Sequence, residues 1–523
     1  MKIIDKKELG TLIKDGDMVA ISGSGGSGSP EALIESVMNS YLKTGHPCNI
    51  GVTCGISPGN LTNDDVGMNM LAKKGLVGKA ICAHLGMGRV FGNAIGENQF
   101  PTFALPLGVI NHLYRAIAGH EVGVITHIGL GTFADPRIEG CCANEKATKL
   151  NPIVEVINVG GKENLFYHSF PINVALLKAS YADENGNITL EEEGVIGEQY
   201  NMAIAAHNSG GIVIVEVKAI KPKNSLKARN VLIHSSYVDY VVVNKPDNSL
   251  GEYNIPFYHP EITGDKRIKL EDIIIRPLDE RKICGRRSAM ELHKNYVINL
   301  GVGMPDSVAN VAAEEGISEN IFLSVESGPT GGVPIGGVVF GASINPDSVI
   351  STAEQFDAYN GGSLDMAIVG LAEVDKYGNV NVSKFGTRVT GPGGFINITQ
   401  CTHKIIFMGT FMAGKLEEEI IDGKLLIKHE GEKKKFVSKV EQITFSAKQA
   451  IKNNQEILYV TERCVFKLVK EGVMLIEIAP GVDLEKDILA NMEFKPIISN
   501  DLKIMDERIF KDKKMNIKEE FLS

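Results

Sequence analysis

Short apolar runs, each ending in a glycine-rich turn that leads into a helix-like stretch, recur along this chain. This pattern constrains the fold more than any other feature. Met18-Val19-Ala20-Ile21 leads into Ser22-Gly23-Ser24-Gly25-Gly26-Ser27-Gly28-Ser29-Pro30, and a helical pattern opens at Glu31. Apolar runs this short, without polar alternation, belong to strands buried on both faces. Further runs of this kind are Val122–Thr126, Ile153–Val159, Ile212–Val217 and Val238–Val243. The second half adds Val297–Leu300, Ile321–Val325, Ala367–Leu371, Lys404–Phe407 and Ile457–Val460. Strands alternating with helices in this way predict an α/β fold with open, mostly parallel sheets covered on both faces.

The chain has 523 residues, too many for one ordinary core, so at least two domains are expected. A faint internal repeat supports this. Ala20-Ile21-Ser22-Gly23 with Pro30 resembles Ile298-Asn299-Leu300-Gly301-Val302-Gly303-Met304-Pro305, and Asp183-Glu184-Asn185-Gly186-Asn187 resembles Asp375-Lys376-Tyr377-Gly378-Asn379. Asp-x-x-Gly-Asn suits a tight turn between two strands. Pro30 and Asp183 are 153 residues apart, Pro305 and Asp375 only 70, so the first copy carries an insertion of roughly 80 residues. Two related α/β domains, 1–277 and 278–523, are predicted to meet near the polar stretch Glu271 to Arg287. A helix beginning around Asp279 would open the second.

Composition excludes several classes. Hydrophobic content of 43%, charged content of 23% and net charge −10 describe a globular chain without a basic stripe, so nucleic acid is not an expected partner. The Lys433-Lys434-Lys435 run reads as solvated surface. No apolar run approaches the ~18 residues of a membrane span, and Met1 to Asp17 lacks the apolar core of a signal peptide. The eight cysteines form no C-x-x-C pair. Reduced thiols in a cytoplasmic protein are expected.

Glu326 ends the apolar run Ile321-Phe322-Leu323-Ser324-Val325 and precedes Ser327-Gly328-Pro329-Thr330-Gly331-Gly332. A carboxylate at a strand tip, under glycines that admit close approach, is a candidate nucleophile or base. From the local pattern alone it could equally cap a helix or pair with a surface lysine. Gly23-Ser24-Gly25-Gly26-Ser27-Gly28 satisfies G-x-G-x-x-G after a strand and suggests a dinucleotide turn. The acid that should end the next strand is missing from Asn49-Ile50-Gly51-Val52-Thr53-Cys54. The loop could instead hold an anion on its N–H groups. A second cluster, Gly391-Pro392-Gly393-Gly394, could present main-chain N–H groups to a developing oxyanion or serve only as a turn. His112, His120 and His127 have no metal-site spacing, no H-E-x-x-H occurs, and no G-x-S-x-G elbow is present. A metal site is therefore not expected, and a carboxylate is favoured over Ser or Cys as nucleophile.

Three motifs in order, Ser324-Val325-Glu326-Ser327-Gly328, Gln355-Phe356-Asp357-Ala358-Tyr359-Asn360-Gly361-Gly362 and Gly393-Gly394-Phe395, together resemble the family I CoA-transferases, in the single-chain acetate/propionate branch. The resemblance extends to Gly129-Leu130-Gly131-Thr132-Phe133-Ala134-Asp135-Pro136-Arg137, Tyr459-Val460-Thr461-Glu462-Arg463 and Glu477-Ile478-Ala479-Pro480-Gly481-Val482-Asp483. It implies two related α/β domains with the active site at their interface and Glu326 as the nucleophile. CoA would pass from a short-chain acyl-CoA to an acceptor such as acetate through a glutamyl-CoA thioester. It further implies coenzyme A as substrate with no permanently bound cofactor, small carboxylic acids as partners, and a homodimer or homotetramer. Gly393 and Gly394 match the family's glycine donor to the oxyanion. Gly23, Gly25, Gly26 and Gly303 are expected to contact oxyanion or CoA.

Two positions depart from the family pattern. The family commonly shows Leu-Pro-Gln-Gly where this chain has Leu105-Pro106-Leu107-Gly108. Leu107 cannot donate a hydrogen bond, and loss of one oxyanion donor elsewhere costs about 2.7–4 kcal/mol. Asn360 stands where an Asp is expected. Both are assigned to the substrate pocket; at Leu107 either another group replaces the lost donor or the site is adapted to a different, more apolar acyl chain. The rivals are an acyl-CoA hydrolase on the same fold, a nucleotide-binding oxidoreductase using the Gly23–Gly28 loop, and a non-catalytic CoA sensor.

Overall fold

The fold comes from a computed structural model that describes residues 1–60, 62–244, 258–269, 276–301 and 303–523. Part of the expected boundary stretch, 271–275, and Val302 of the repeat lie outside the described residues.

Two ten-stranded sheets organise the chain. The first runs in the order Lys2–Ile3, Tyr240–Val243, Ile212–Lys221, Val174–Asp183, Met18–Ile21, Ile50–Ile56, Val77–His84, Thr102–Ala104, with two short strands added beside Val174–Asp183. Every neighbouring pair along that path is parallel. The second runs Ser348–Val349, Pro329–Thr330, Phe322–Ser324, Val297–Leu300, Met366–Gly370, Lys404–Met408, Glu456–Val460, Cys464–Val469, Gly472–Ile478, Ile497–Ile504. Its middle is parallel from Phe322–Ser324 to Glu456–Val460.

The internal repeat is visible in this topology. Met18–Ile21 lies between the following strand, Ile50–Ile56, and the later Val174–Asp183. Val297–Leu300 lies likewise between Phe322–Ser324 and Met366–Gly370. Each is the point where strand order reverses, and ligands of open α/β sheets bind at the C-terminal strand ends there. The Asp-x-x-Gly-Asn turns match in detail. Asp183 Oδ1 accepts from the N–H groups of Asn185 and Asn187, and Asp375 Oδ1 from those of Tyr377 and Asn379.

Two expectations require correction. Val122–Thr126 and Ile153–Val159 are strands, but not of the parallel sheet. Gly123–Thr126, Lys162–His168 and Val154–Val159 form a separate three-stranded antiparallel sheet. Gly160 and Gly161, at φ +59° and +80°, make the tight hairpin turn that right-twisted strands favour. One face of this sheet is exposed at Ile125 and Val159, so apolar content alone did not mean burial. The central strand Val174–Asp183 was missed because Lys178 and Ser180 interrupt its apolar run. It is buried along its whole length, and Lys178 Nζ meets Glu216 Oε1 at 2.9 Å, since a buried charge needs a partner.

Helix Glu31–Thr44 ends on Gly45 at φ +80°. The helix expected near Asp279 is Glu280–Ala289, with the Asp279 side chain accepting from Lys282 N–H, a capping bond of the usual kind. No described helix is long and apolar enough to cross a membrane.

Helix Leu107–Ala118 of the first half locks against the second. Leu107 N–H donates to Gly393 O at 2.9 Å, and Gly108 N–H to Asn397 Oδ1 at 3.1 Å. Arg115 and His112 both reach Asp357, at 2.8 and 2.9 Å. Gly129 N–H donates to Gln400 Oε1 at 2.7 Å, and Leu85 N–H to Thr390 O at 2.7 Å. One apolar cluster continues from Ile4 through both halves to Met492. The two sheets are thus joined along a seam, and their strand tips face a common cleft.

Candidate active site

Glu326 sits just past the strand Phe322–Ser324, in the turn that returns as Pro329–Thr330. Val325 N–H donates to Pro329 O and Gly328 N–H to Val325 O, which pins the turn. Beneath it lies a polar network. Ser324 Oγ is 2.7 Å from Tyr359 Oη and accepts from Gln355 Nε2 at 3.0 Å. Asn299 Nδ2 donates to Ser324 O at 3.2 Å. The Glu326 loop therefore rests on side chains whose own hydrogen bonds are met, which limits its drift.

The carboxylate opens on a cavity of about 480 Å³ whose walls include Ile56, His84, Val325, Phe340, Arg388, Gly393, Gly394 and Phe395. Burial pushes the Glu326 carboxyl up to about 7, while the Gly394 N–H pulls the other way by hydrogen-bonding to it. No cation is paired with Glu326 among the ion pairs of the described residues. The ring of His84 faces the same cavity, and its Nδ1 is buried without a hydrogen-bond partner among the described residues. Burial, with Arg388 adding to it, lowers His84 to about 4. A neutral imidazole therefore shares the cavity with Glu326. Arg388 is exposed at the mouth, on the hairpin Lys384–Phe385/Arg388–Val389.

The Gly391–Gly394 turn is shaped by contacts only glycine permits. Gly391 and Gly393 have φ +70° and +51°, a region that disfavours side chains, and a Cβ on Gly391 would overlap Ala83 O. Gly394 has ordinary φ −79°; there the demand is space, since a Cβ would overlap Glu326 Oε2. The two expected donors differ. Gly393 N–H points at Ala83 O, 3.3 Å away, whereas Gly394 N–H is the one at the carboxylate.

The remaining glycines lie apart from this cavity. Gly23 borders a second, much smaller chamber of about 10 Å³, with Leu107, Ile56, Glu198, Gln199, Ser327 and Thr352. Gly25 and Gly26 line neither cavity; the Gly25 carbonyl accepts from Gly59 N–H, and Ser24 and Ser27 bond each other across the loop. Gly303 also lies outside both, its N–H turned to Asp306 Oδ2, while Gly301 takes the wall position. Asn360, expected in the substrate pocket, lies outside both as well. It accepts from Asn397 Nδ2 at 3.0 Å, and Asn397 in turn holds Gly108. Its place is the brace under the seam.

His84 and Arg388 line the Glu326 cavity and Glu198 the small chamber, and sequence reasoning singled out none of the three. For His84 a signal existed: Ala80-Ile81-Cys82-Ala83-His84 is an apolar run closed by a polar residue at a strand tip, the same pattern that singled out Glu326. Glu198 is the residue just before helix Gln199–Asn208, and no motif in the sequence singles it out.

A sequence model of the coenzyme A transferases matches residues 6–244. Over 517 residues the chain is 48% identical to a caffeate CoA-transferase from Acetobacterium woodii, covering 98% of each. It is 40% identical over 516 residues to acetate CoA-transferase YdiF of Escherichia coli (strain K12), covering 98% of this chain and 96% of that one. The crystal structure of the acyl-CoA transferase YdiF apoenzyme from Escherichia coli O157:H7 superposes with a TM-score of 0.92 at 38% identity, covering 98% and 97% of the two chains. A thioester complex of that enzyme with CoA superposes at 0.91. Sequence identity and fold agree: the chain belongs to the coenzyme A transferase family.

Proposed function

We propose that this enzyme moves CoA from a short-chain acyl-CoA to a small acceptor carboxylate such as acetate, with Glu326 carrying CoA between them. The observation that carries this reading is the Glu326 carboxylate under the Gly394 N–H, in a cavity with room for the thioester end of an acyl-CoA. Relatives that act on caffeate and acetate by name, and a relative crystallised as a CoA thioester, support it.

The ionised Glu326 attacks the acyl-CoA thioester carbonyl. The tetrahedral intermediate collapses to an acyl-glutamyl anhydride and CoA thiolate. The thiolate attacks the glutamyl carbonyl, the donor acid leaves, and a glutamyl-CoA thioester remains. The acceptor carboxylate reverses these steps. The thioester bond energy is kept throughout, because the enzyme's own carboxyl is the intermediate acyl group. Gly394 N–H is the preset donor to the oxyanion that forms. Burial makes Glu326 a poorly solvated nucleophile that is easily desolvated for attack. Neutral His84 leaves the cavity without a second cation that would hold Glu326 in an ion pair. Arg388 at the mouth is the cation placed to meet a phosphate of the CoA tail.

CoA serves here as substrate, with no resident cofactor, and a homodimer or homotetramer is the assembly proposed. Eight unpaired cysteines support a reducing compartment such as the cytoplasm. Initial rates with both substrates varied test the function. Parallel double-reciprocal lines are expected, and CoA should pass to acetate and not be released when acetate is absent. Intersecting lines would overturn the glutamyl-CoA route. Acceptor-independent CoA release at the full rate would make the enzyme a hydrolase.

A further inference from the structure

The small chamber beside Leu107 is built from groups that a plain alkyl chain does not satisfy. It lies between the two halves, with Ile56, Leu107, Glu198 and Gln199 from the first and Ser327 and Thr352 from the second. Ile56 also walls the Glu326 cavity, and Ser327 directly follows the nucleophile. The chamber and the Glu326 cavity thus share the Ile56 wall. Its volume of about 10 Å³ takes one water-sized group and nothing larger.

Glu198 is 5% exposed and Gln199 is 2% exposed. Glu198 Oε1 and Gln199 Oε1 are both buried with no hydrogen-bond partner among the described residues. A Cβ built on Gly55 would lie 3.0 Å from Leu107 Cδ1 and 3.1 Å from Glu198 Oε1, so the leucine and the carboxyl share one wall. Burial pushes the Glu198 carboxyl up to about 8, against the opposing N–H groups of Gly55 and Glu198 itself. Glu198 is therefore neutral near pH 7, with both a donor and an acceptor. Unmet buried polar atoms are costly, and a hydroxyl, one heavy atom that both gives and accepts a hydrogen bond, would satisfy them.

We propose that Glu198 is a specificity-determining residue, and that with Gln199 it selects acids bearing a hydroxyl on the acyl chain over plain alkyl acids of equal length. This rests on the CoA-transfer reading above. A site built to hydrogen-bond a hydroxyl discriminates against the analogue that lacks it.

The test compares propionate, 2-hydroxypropionate and 3-hydroxypropionate as acceptors, reading the ratio of kcat/KM for hydroxylated over plain acid. The parent should favour at least one hydroxy acid by roughly tenfold. Glu198→Met should bring that ratio to about one or below, and Glu198→Gln, which keeps a donor and an acceptor, should retain most of it. Circular dichroism checks the fold of each variant; if Glu198→Met does not fold, the parent ratio decides. A parent ratio at or below one for both hydroxy acids, or an unchanged ratio in folded Glu198→Met, overturns the proposal and leaves CoA transfer standing. Absence of CoA exchange with any acid would overturn the function and the proposal with it.

Discussion

Replacing Gly394 by alanine isolates the demand that the Glu326 carboxylate makes on its surroundings. The backbone of Gly394 lies at φ −79°, ψ −6°, where alanine is at ease, so the substitution carries no conformational strain. The new Cβ would overlap Glu326 Oε2, and it would lie 2.9 Å from Glu326 Cδ and 3.0 Å from Phe356 Cζ. The carboxylate must therefore turn away from the Gly394 N–H, which loses its alignment with the oxyanion. Loss of one such donor costs about 2.7–4 kcal/mol, or roughly 10²–10³ in turnover. Stability should change little, by about 1 kcal/mol, because the displaced group faces an open cavity and not a packed core. Steady-state CoA exchange gives kcat, and a thermal melt checks the fold. A folded variant with turnover within tenfold of the parent would refute the placement of Glu326 under Gly394.

Other consequences follow from named charges. Burial pushes the Glu326 carboxyl up to about 7, and the proposed attack needs the ionised form, so the first half-reaction should slow about tenfold per pH unit below that and level off above it. A rate flat between about pH 5.5 and 7.5 would contradict this. Stability carries the complementary sign. Burial raises the folded-state value above the ordinary 4.5, so ionised Glu326 opposes folding increasingly from about pH 4.5 to 7 and by a constant amount beyond. Glu326→Gln should thus be the more stable protein above pH 7 and equal to the parent below 4.5, the gap being at most about 3 kcal/mol less what cavity solvent screens. Arg388→Ala should raise KM for acyl-CoA roughly five- to tenfold while leaving KM for acetate within about twofold; equal effects on both would remove Arg388 from CoA binding. Arg463 is fully buried and meets Glu430, Glu418 and Glu462 at 2.8, 3.1 and 3.2 Å. Arg463→Met strands those carboxylates and should cost about 3–5 kcal/mol in urea unfolding, whereas a loss under 1 kcal/mol would show that they neutralise freely.

The α/β class was legible because parallel strands buried on both faces must be apolar without alternation, as at Val297–Leu300 and Lys404–Met408. The same rule failed where a sheet has one open face, as at Val154–Val159, and where buried ions pair within a strand, as Lys178 does with Glu216. Glu326 was visible as a carboxylate at a strand tip. Family resemblance then gave it a role that the local pattern could not. The glycines were harder to place. Sequence shows that Gly23, Gly25 and Gly303 allow close approach, but not what approaches; in the fold it is a second chamber at Gly23, the Gly59 backbone at Gly25 and the Asp306 carboxylate at Gly303. Leu107 looked like a lost donor. Its significance depends on Glu198, 91 residues later in the chain and brought near it by the packing of helix Leu107–Ala118 against helix Gln199–Asn208.

The central claim is that Glu326 itself carries CoA. Incubating the enzyme with acyl-CoA and no acceptor, then reducing with borohydride, should convert the Glu326 side chain to its alcohol, a loss of about 14 Da on the peptide that contains it. Glu326→Gln should show no such change. An unmodified Glu326 peptide from enzyme that turns over normally would contradict the account.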